Sequence, residues 1–172
     1  MSEFLKLSSP QDAIKVLLHT LQDREPNNES IETVLASGRI VGEKVIAPHP
    51  LPEFPRSTVD GYALRACESF GVSDSLPGYL NLAGEIPMGG IPAFKIGPGS
   101  CALIHTGGML PEGADAVMML EYTQRVERSP ADTEFPGGSP SSEIEISRAV
   151  AEGENILKTG EDVKQGQVVL ET

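Results

Sequence analysis

Basic side chains are scarce in this sequence of 172 residues: 13 lysines and arginines stand against 25 aspartates and glutamates, a formal charge of −12. An acidic balance of that size repels phosphate backbones and anionic headgroups, so neither nucleic acid nor a membrane surface is expected as a partner. Long apolar runs are missing too, since no stretch approaches the roughly 20 residues that cross a bilayer. The opening Met1-Ser2-Glu3-Phe4-Leu5-Lys6 lacks the basic start and apolar core of a signal peptide, which makes the cytoplasm the expected compartment. Only two cysteines occur, Cys67 and Cys101, without a histidine pattern at zinc-ligand spacing; both are expected to be buried free thiols. Two catalytic signatures are also absent. Ser57 has no Gly-x-Ser-x-Gly setting, and Gly107-Gly108 is too short for a phosphate loop and lacks its lysine.

What the chain has in quantity is punctuation, with 18 glycines and 14 prolines. A first helix is expected where Ser9 can cap and Pro10 can occupy the first turn, with Ala13, Ile14, Leu17, Leu18 and Leu21 on one face for packing. A second is expected over 30–37, stopped by Gly38 and burying Ile31, Val34 and Leu35. Beyond it the helical period gives way to short β-prone runs at 41–46, 59–64, 79–83, 101–104, 116–120 and 144–146, each bounded by turn residues. Such spacing predicts a barrel or compact β-structure. The segment 128–142, rich in serine, glycine and proline, is expected to be a mobile loop or linker, and strand-and-turn chemistry returns over 151–170.

Chemistry concentrates in loops. The run Pro48-His49-Pro50-Leu51-Pro52-Glu53-Phe54-Pro55 cannot be helical, because its prolines remove donors and extend their neighbours. It delivers Ser57-Thr58-Val59-Asp60-Gly61-Tyr62-Ala63-Leu64, with one carboxylate between the proline-rich loop and a β-prone run. By itself Asp60-Gly61 also reads as a turn pair. A second glycine-rich segment, Ile104-His105-Thr106-Gly107-Gly108-Met109-Leu110-Pro111-Glu112-Gly113-Ala114-Asp115, places a hydroxyl and successive backbone amides where an oxyanion such as phosphate can be met. His105 reads as a partly buried structural histidine, with no carboxylate partner legible from its neighbours. Asp115 and Glu121 read as solvated strand ends.

Those two segments, with Gly84-Glu85-Ile86-Pro87-Met88-Gly89-Gly90 between them and Gly153-Glu154-Asn155-Ile156-Leu157-Lys158-Thr159-Gly160-Glu161-Asp162-Val163 after them, closely resemble the N-terminal part of the molybdopterin molybdenumtransferases. This is the MoeA family, related to the E domain of gephyrin, which inserts molybdate into adenylylated molybdopterin. The resemblance implies an α+β, β-rich fold: a small α/β domain made of both chain ends, 1–47 plus 147–172, with a β-barrel-like domain, 48–146, inserted. It implies that the family's C-terminal molybdopterin-binding domain lies outside this chain, so that the isolated fragment is inactive.

The same resemblance makes Asp60, Thr106 and Asp162 the catalytic candidates, and Ser57, Thr106 and Gly107 the substrate-binding ones. Asp60 and Asp162 become ligands for Mg²⁺, which carboxylates hold together with water and substrate phosphate; Asp162 also reads as a strand-connecting turn residue. Molybdate and adenylylated molybdopterin are then the substrates. A homodimer is implied, with molybdopterin adenylyltransferase as a further partner. The alternative is a non-catalytic β-rich scaffold that binds a protein.

Overall fold

Short β-strands recur along the polypeptide from Val45 to Leu170, and the computed structural model describes residues 7–22, 27–127 and 142–172. Contacts divide the chain into two units, one formed by Met1–Glu43 with Thr172 and the other by Lys44–Glu171. The architecture is strand-rich α+β with a curled half-barrel sheet.

In the first unit helix α1 spans Pro10–Leu21. Ser9 caps it as its sequence position predicts: the Ser9 hydroxyl accepts the Asp12 amide at 3.2 Å and donates to the Asp12 carboxylate at 2.7 Å. The helix buries none of its residues, and Ile14, Leu17 and Leu18 are more than half exposed, where packing was expected. The second expected helix is a single 3₁₀ turn, Thr33–Leu35, with Val34 and Leu35 exposed. Three β-branched residues, Ile31, Thr33 and Val34, disfavour longer helix here, and no side chain caps the turn.

The second unit carries the sheet. Its strands are β1 Val45–Ile46, β2 Arg56–Ser57, β3 Gly61–Leu64, β4 Gly78–Glu85, β5 Ser100–Ile104, β6 Ala116–Met119, β7 Thr123–Glu127, β8 Ser142–Ile146, β9 Ile156–Leu157 and β10 Val168–Leu170. Six form one sheet in the order β6-β3-β5-β4-β8-β7, antiparallel throughout except for the parallel neighbours β4 and β5. Two small antiparallel pairs, β1 with β10 and β2 with β9, complete the strand set. The runs expected at 59–64, 79–83, 101–104, 116–120 and 144–146 all contain strands of the large sheet. Of the expected linker, 128–141 lies outside the described residues.

Two apolar clusters hold the sheet. One joins Leu64, Leu80, Cys101, Met118, Ile144 and Ile146; the other joins Ala63, Ile86, Ile96, Ala102, Ile104 and Val117. The alternation along β3, β5 and β6 divides their side chains between the two clusters, as a strand period of two requires. Each fully buried Leu, Ile or Val contributes about 1.5–3 kcal/mol. Gly61 is fixed by this packing, because a Cβ there would stand 1.9 Å from the Met118 carbonyl oxygen. Cys101 lies in the first cluster, and burial pushes its thiol up to about 12, whereas Cys67 is exposed, against expectation. Cys67 sits in the short 3₁₀ segment Ala66–Ser69, of which only Ala66 and Ser69 are buried.

The turn just ahead of β9 supplies one more tether. Asn155 adopts φ 61°, its side-chain amide donates to the Val117 carbonyl at 2.8 Å, and the Val117 amide donates to the Glu154 carbonyl at 3.1 Å. The Asn155 carbonyl accepts the Thr58 amide at 3.0 Å. Asparagine tolerates the left-handed region better than other residues with a Cβ.

Candidate functional site at the end of the sheet

Register brings the candidate residues together. In the antiparallel β3/β5 pair Gly61 opposes Ile104, so Asp60, one residue before β3, falls beside His105 and Thr106, just after β5. Gly61 also opposes Met119 at the end of β6, and Glu85, the last residue of β4, pairs with Leu103 near the end of β5. Asp60, Glu85, His105 and Thr106 therefore share one end of the sheet although they are far apart in sequence.

The Thr106 amide donates to Asp60 Oδ1 at 2.8 Å, and its hydroxyl donates to the same oxygen at 3.1 Å. His105 Nδ1 stands 3.9 Å from that oxygen, and His105 Nε2 lies 3.1 Å from Glu85 Oε1. The Asp60 carboxyl is held below its ordinary 3.8, first by the Thr106 amide, then by the Thr106 hydroxyl, with desolvation opposing and His105 adding a smaller attraction. The side chain remains open to solvent, so it keeps its charge and presents it outward.

The turn behind Thr106 is internally satisfied. Gly107 N–H donates to the Ser57 carbonyl at 2.8 Å, Gly108 N–H to the His105 carbonyl at 2.8 Å, and Ser57 N–H to the Gly108 carbonyl at 3.0 Å. The Ser57 hydroxyl is buried; it donates to the Val59 carbonyl at 2.6 Å and accepts the Val59 amide at 3.2 Å. The amides of Thr106, Gly107 and Gly108 thus all donate within the chain, where the sequence suggested that they face an oxyanion. What this end of the sheet offers outward is acceptor chemistry, a carboxylate and a threonine oxygen, which suits a cation better than a bare anion.

Asp162 belongs to a different piece of backbone. Its amide and that of Val163 donate to the Leu51 carbonyl at 3.0 and 3.1 Å, and Gly160 N–H donates to the Pro52 carbonyl at 2.9 Å. The turn therefore clasps the proline-rich segment that leads to Ser57. Asp162 is exposed, and no hydrogen bond or ion pair joins it to Asp60 or Thr106 among the described residues. Among the described residues no group of three or more His, Cys, Asp or Glu side chains gathers as a metal cage. A separate open cleft of about 310 Å³ has Pro55, Leu110, Ile156 and Lys158 in its wall, and Asp60, Thr106 and Asp162 are not part of that wall.

Sequence reasoning missed Glu85 as a partner of His105, because parallel register between β4 and β5, not local spacing, makes the pair. It also missed Asp115 as a tether: its carboxylate accepts the Ala66 amide at 2.6 Å. Its place ahead of an apolar strand gave no clue, because solvated strand ends look the same in sequence.

A curled, mostly antiparallel sheet thus carries a carboxylate-threonine pair on the loops at one of its ends. The chain belongs to the family described as the MoeA N-terminal region (domain I and II), whose model matches residues 8–172. It is 33% identical to the molybdopterin molybdenumtransferase of Bacillus subtilis over 92% of this chain and 34% of that protein. Gephyrin of Dictyostelium discoideum is 29% identical over 92% of this chain and 21% of its own length. The crystal structure of the molybdopterin biosynthesis moeA protein from Pyrococcus horikoshii OT3 superposes with a TM-score of 0.79 at 33% identity, over 97% of this chain and 40% of that one. The chain spans between about a fifth and two fifths of the length of these relatives.

Proposed function

We propose that this chain is the N-terminal part of a molybdopterin molybdenumtransferase, which inserts molybdate into adenylylated molybdopterin during molybdenum cofactor biosynthesis. The observation that carries the reading is the doubly bonded Asp60–Thr106 pair, at 2.8 and 3.1 Å, in a chain matched to the family over residues 8–172. Both donors of Thr106 converge on Oδ1, which fixes the carboxylate and directs its remaining acceptor capacity outward. That donor chemistry fits Mg²⁺, which takes one or two protein carboxylates and completes its shell with water and phosphate oxygens.

Asp60 is the residue assigned to hold the ion; Asp162, carried on the separate turn that clasps Leu51 and Pro52, is the second carboxylate on the family's pattern alone. When bound, Mg²⁺ supplies neutralising charge to the pyrophosphate link of the substrate. Thr106 orients Asp60, while Ser57 and Gly107 set the position of Thr106 through the bond from the Gly107 amide to the Ser57 carbonyl. Asp60 and Asp162 remain acceptors throughout; neither has to move a proton for the anionic substrate to be held.

On the family's pattern, residues 1–47 with 147–172 form one domain and 48–146 an inserted one; antiparallel pairing of Val45 with Leu170 is what that pattern asks of the two chain segments that flank the insertion. On the same pattern the protein is a cytoplasmic homodimer that receives its substrate from molybdopterin adenylyltransferase. Since the relatives are far longer, the activity is assigned to the full-length protein and not to this portion alone, where positioning of the substrate would be incomplete.

The test joins this chain to the family's remaining domains and follows AMP release from adenylylated molybdopterin with Mg²⁺ and molybdate. Asp60→Asn should lower turnover about 10²-fold, the size usual for loss of one preorganised charged group, with unfolding little changed. Normal turnover in that variant overturns the reading.

A further inference from the structure

We propose that His105, anchored by Glu85, is the positioning residue that holds the Thr106 turn against Asp60. The inference rests on the reading of Asp60 and Thr106 as site residues, and it adds two residues that sequence comparison with the proposed reaction does not supply. His105 Nε2 lies 3.1 Å from Glu85 Oε1. An ionised carboxylate only accepts, so this ring nitrogen carries a proton and donates it, which fixes the ring plane. The opposite nitrogen, Nδ1, then faces Asp60 Oδ1 at 3.9 Å, too far for a hydrogen bond but close enough to wall off one side of that oxygen.

The main chain makes this anchoring matter. The His105 carbonyl accepts the Gly108 amide at 2.8 Å, closing the turn, and the very next amide, that of Thr106, is the one that reaches Asp60. A ring pinned at its far end by Glu85 therefore limits how the 105–108 turn can tilt. Glu85 itself ends β4, and the adjacent Ile86 amide donates to the Leu103 carbonyl at 2.9 Å, so the anchor stands on the sheet and not on a loose loop. The chain of restraint runs from β4 through Glu85 and the His105 ring to the Thr106 amide and the Asp60 carboxylate. His105 is partly shielded and Glu85 is more open.

Amide hydrogen exchange on this chain, read by NMR, tests the proposal without any assay of turnover. His105→Ala should speed exchange of the Thr106 amide about tenfold, the effect of loosening one bond to a charged acceptor, while the Ile86 amide stays as protected as before. Glu85→Ala should give the same increase, and the double variant no more than either single one, since both cut one linkage. Glu85→Gln should restore protection, because its amide oxygen still accepts from Nε2. Unchanged Thr106 exchange in His105→Ala, additive effects in the double variant, or no rescue by Glu85→Gln would each overturn the proposal. In the full-length context His105→Ala should lower kcat by about tenfold with KM unchanged, following the same loosening; a change confined to KM also overturns it. Failure of Asp60→Asn to affect turnover would sink the transferase reading and leave the exchange result standing, so the two can fail separately.

Discussion

Thr106 reaches Asp60 twice through one oxygen, its amide at 2.8 Å and its hydroxyl at 3.1 Å from Oδ1. The backbone donor is the stronger influence on the carboxyl, and it survives any change of the threonine side chain. The pair is therefore a property of how β3 and β5 are registered more than of the threonine hydroxyl.

That ranking gives a pH prediction. The folded value of Asp60 lies below its ordinary 3.8, so its contribution to stability is complete above pH 3.8 and disappears as pH falls through the folded value. Thr106→Val removes the hydroxyl and keeps the amide, so Asp60 should move only part of the way back toward 3.8 in an NMR titration. A midpoint at or above 3.8 in the unsubstituted chain would contradict the geometry.

Two glycines near the site should respond differently to alanine. Gly61→Ala drives a Cβ to 1.9 Å from the Met118 carbonyl oxygen and should cost at least about 3 kcal/mol, because β3 and the outer strand β6 must separate along a buried pairing. Gly107 has φ 80° with open space around it, so Gly107→Ala should cost only about 1–2 kcal/mol of backbone strain. Urea unfolding of both variants checks the order.

Asn155 combines a left-handed backbone with a side-chain bond to Val117. Asn155→Ala loses the bond and keeps a Cβ at φ 61°, whereas Asn155→Gly loses the bond and relieves the backbone. Both should be destabilised, with glycine better tolerated by about 1 kcal/mol. Equal stabilities would show that the conformation carries no cost.

The two thiols should separate cleanly under alkylation. Cys67 is exposed and should react in the native chain, while Cys101, buried with its thiol pushed up to about 12, should react only on unfolding. Mass spectrometry after iodoacetamide treatment should find one modified cysteine before denaturation and two after it.

Local rules were readable where a single stretch of chain decides the outcome. Ser9 and Pro10 announce α1 because capping involves only the first turn. Apolar runs such as 101–104 and 116–120 announce strands because burial on both faces leaves few polar residues. The polar strand β7, Thr-Gln-Arg-Val-Glu, escaped because its exposed side chains carry no such signal. At the site, Asp60, Thr106 and Gly107 could be picked out by resemblance, but the internal use of all three turn amides could not, since each acceptor is set by tertiary register. Glu85 and His105 remained unpaired on paper for the same reason. Cys67 shows the opposite failure, a residue type usually buried that sits on the outer side of a 3₁₀ turn.

The tether from Asn155 has a bearing on association between molecules. β6 is an outer strand of the large sheet, and Val117 is where its free rim would present both an N–H and a C=O to a second chain. Glu154 and Asn155 occupy both groups from a point up to 38 residues further along. An uncovered rim of this kind is a template for strand addition. Variants that release the 153–157 turn should therefore lose colloidal behaviour before they lose the fold, joining sheets edge to edge through β6.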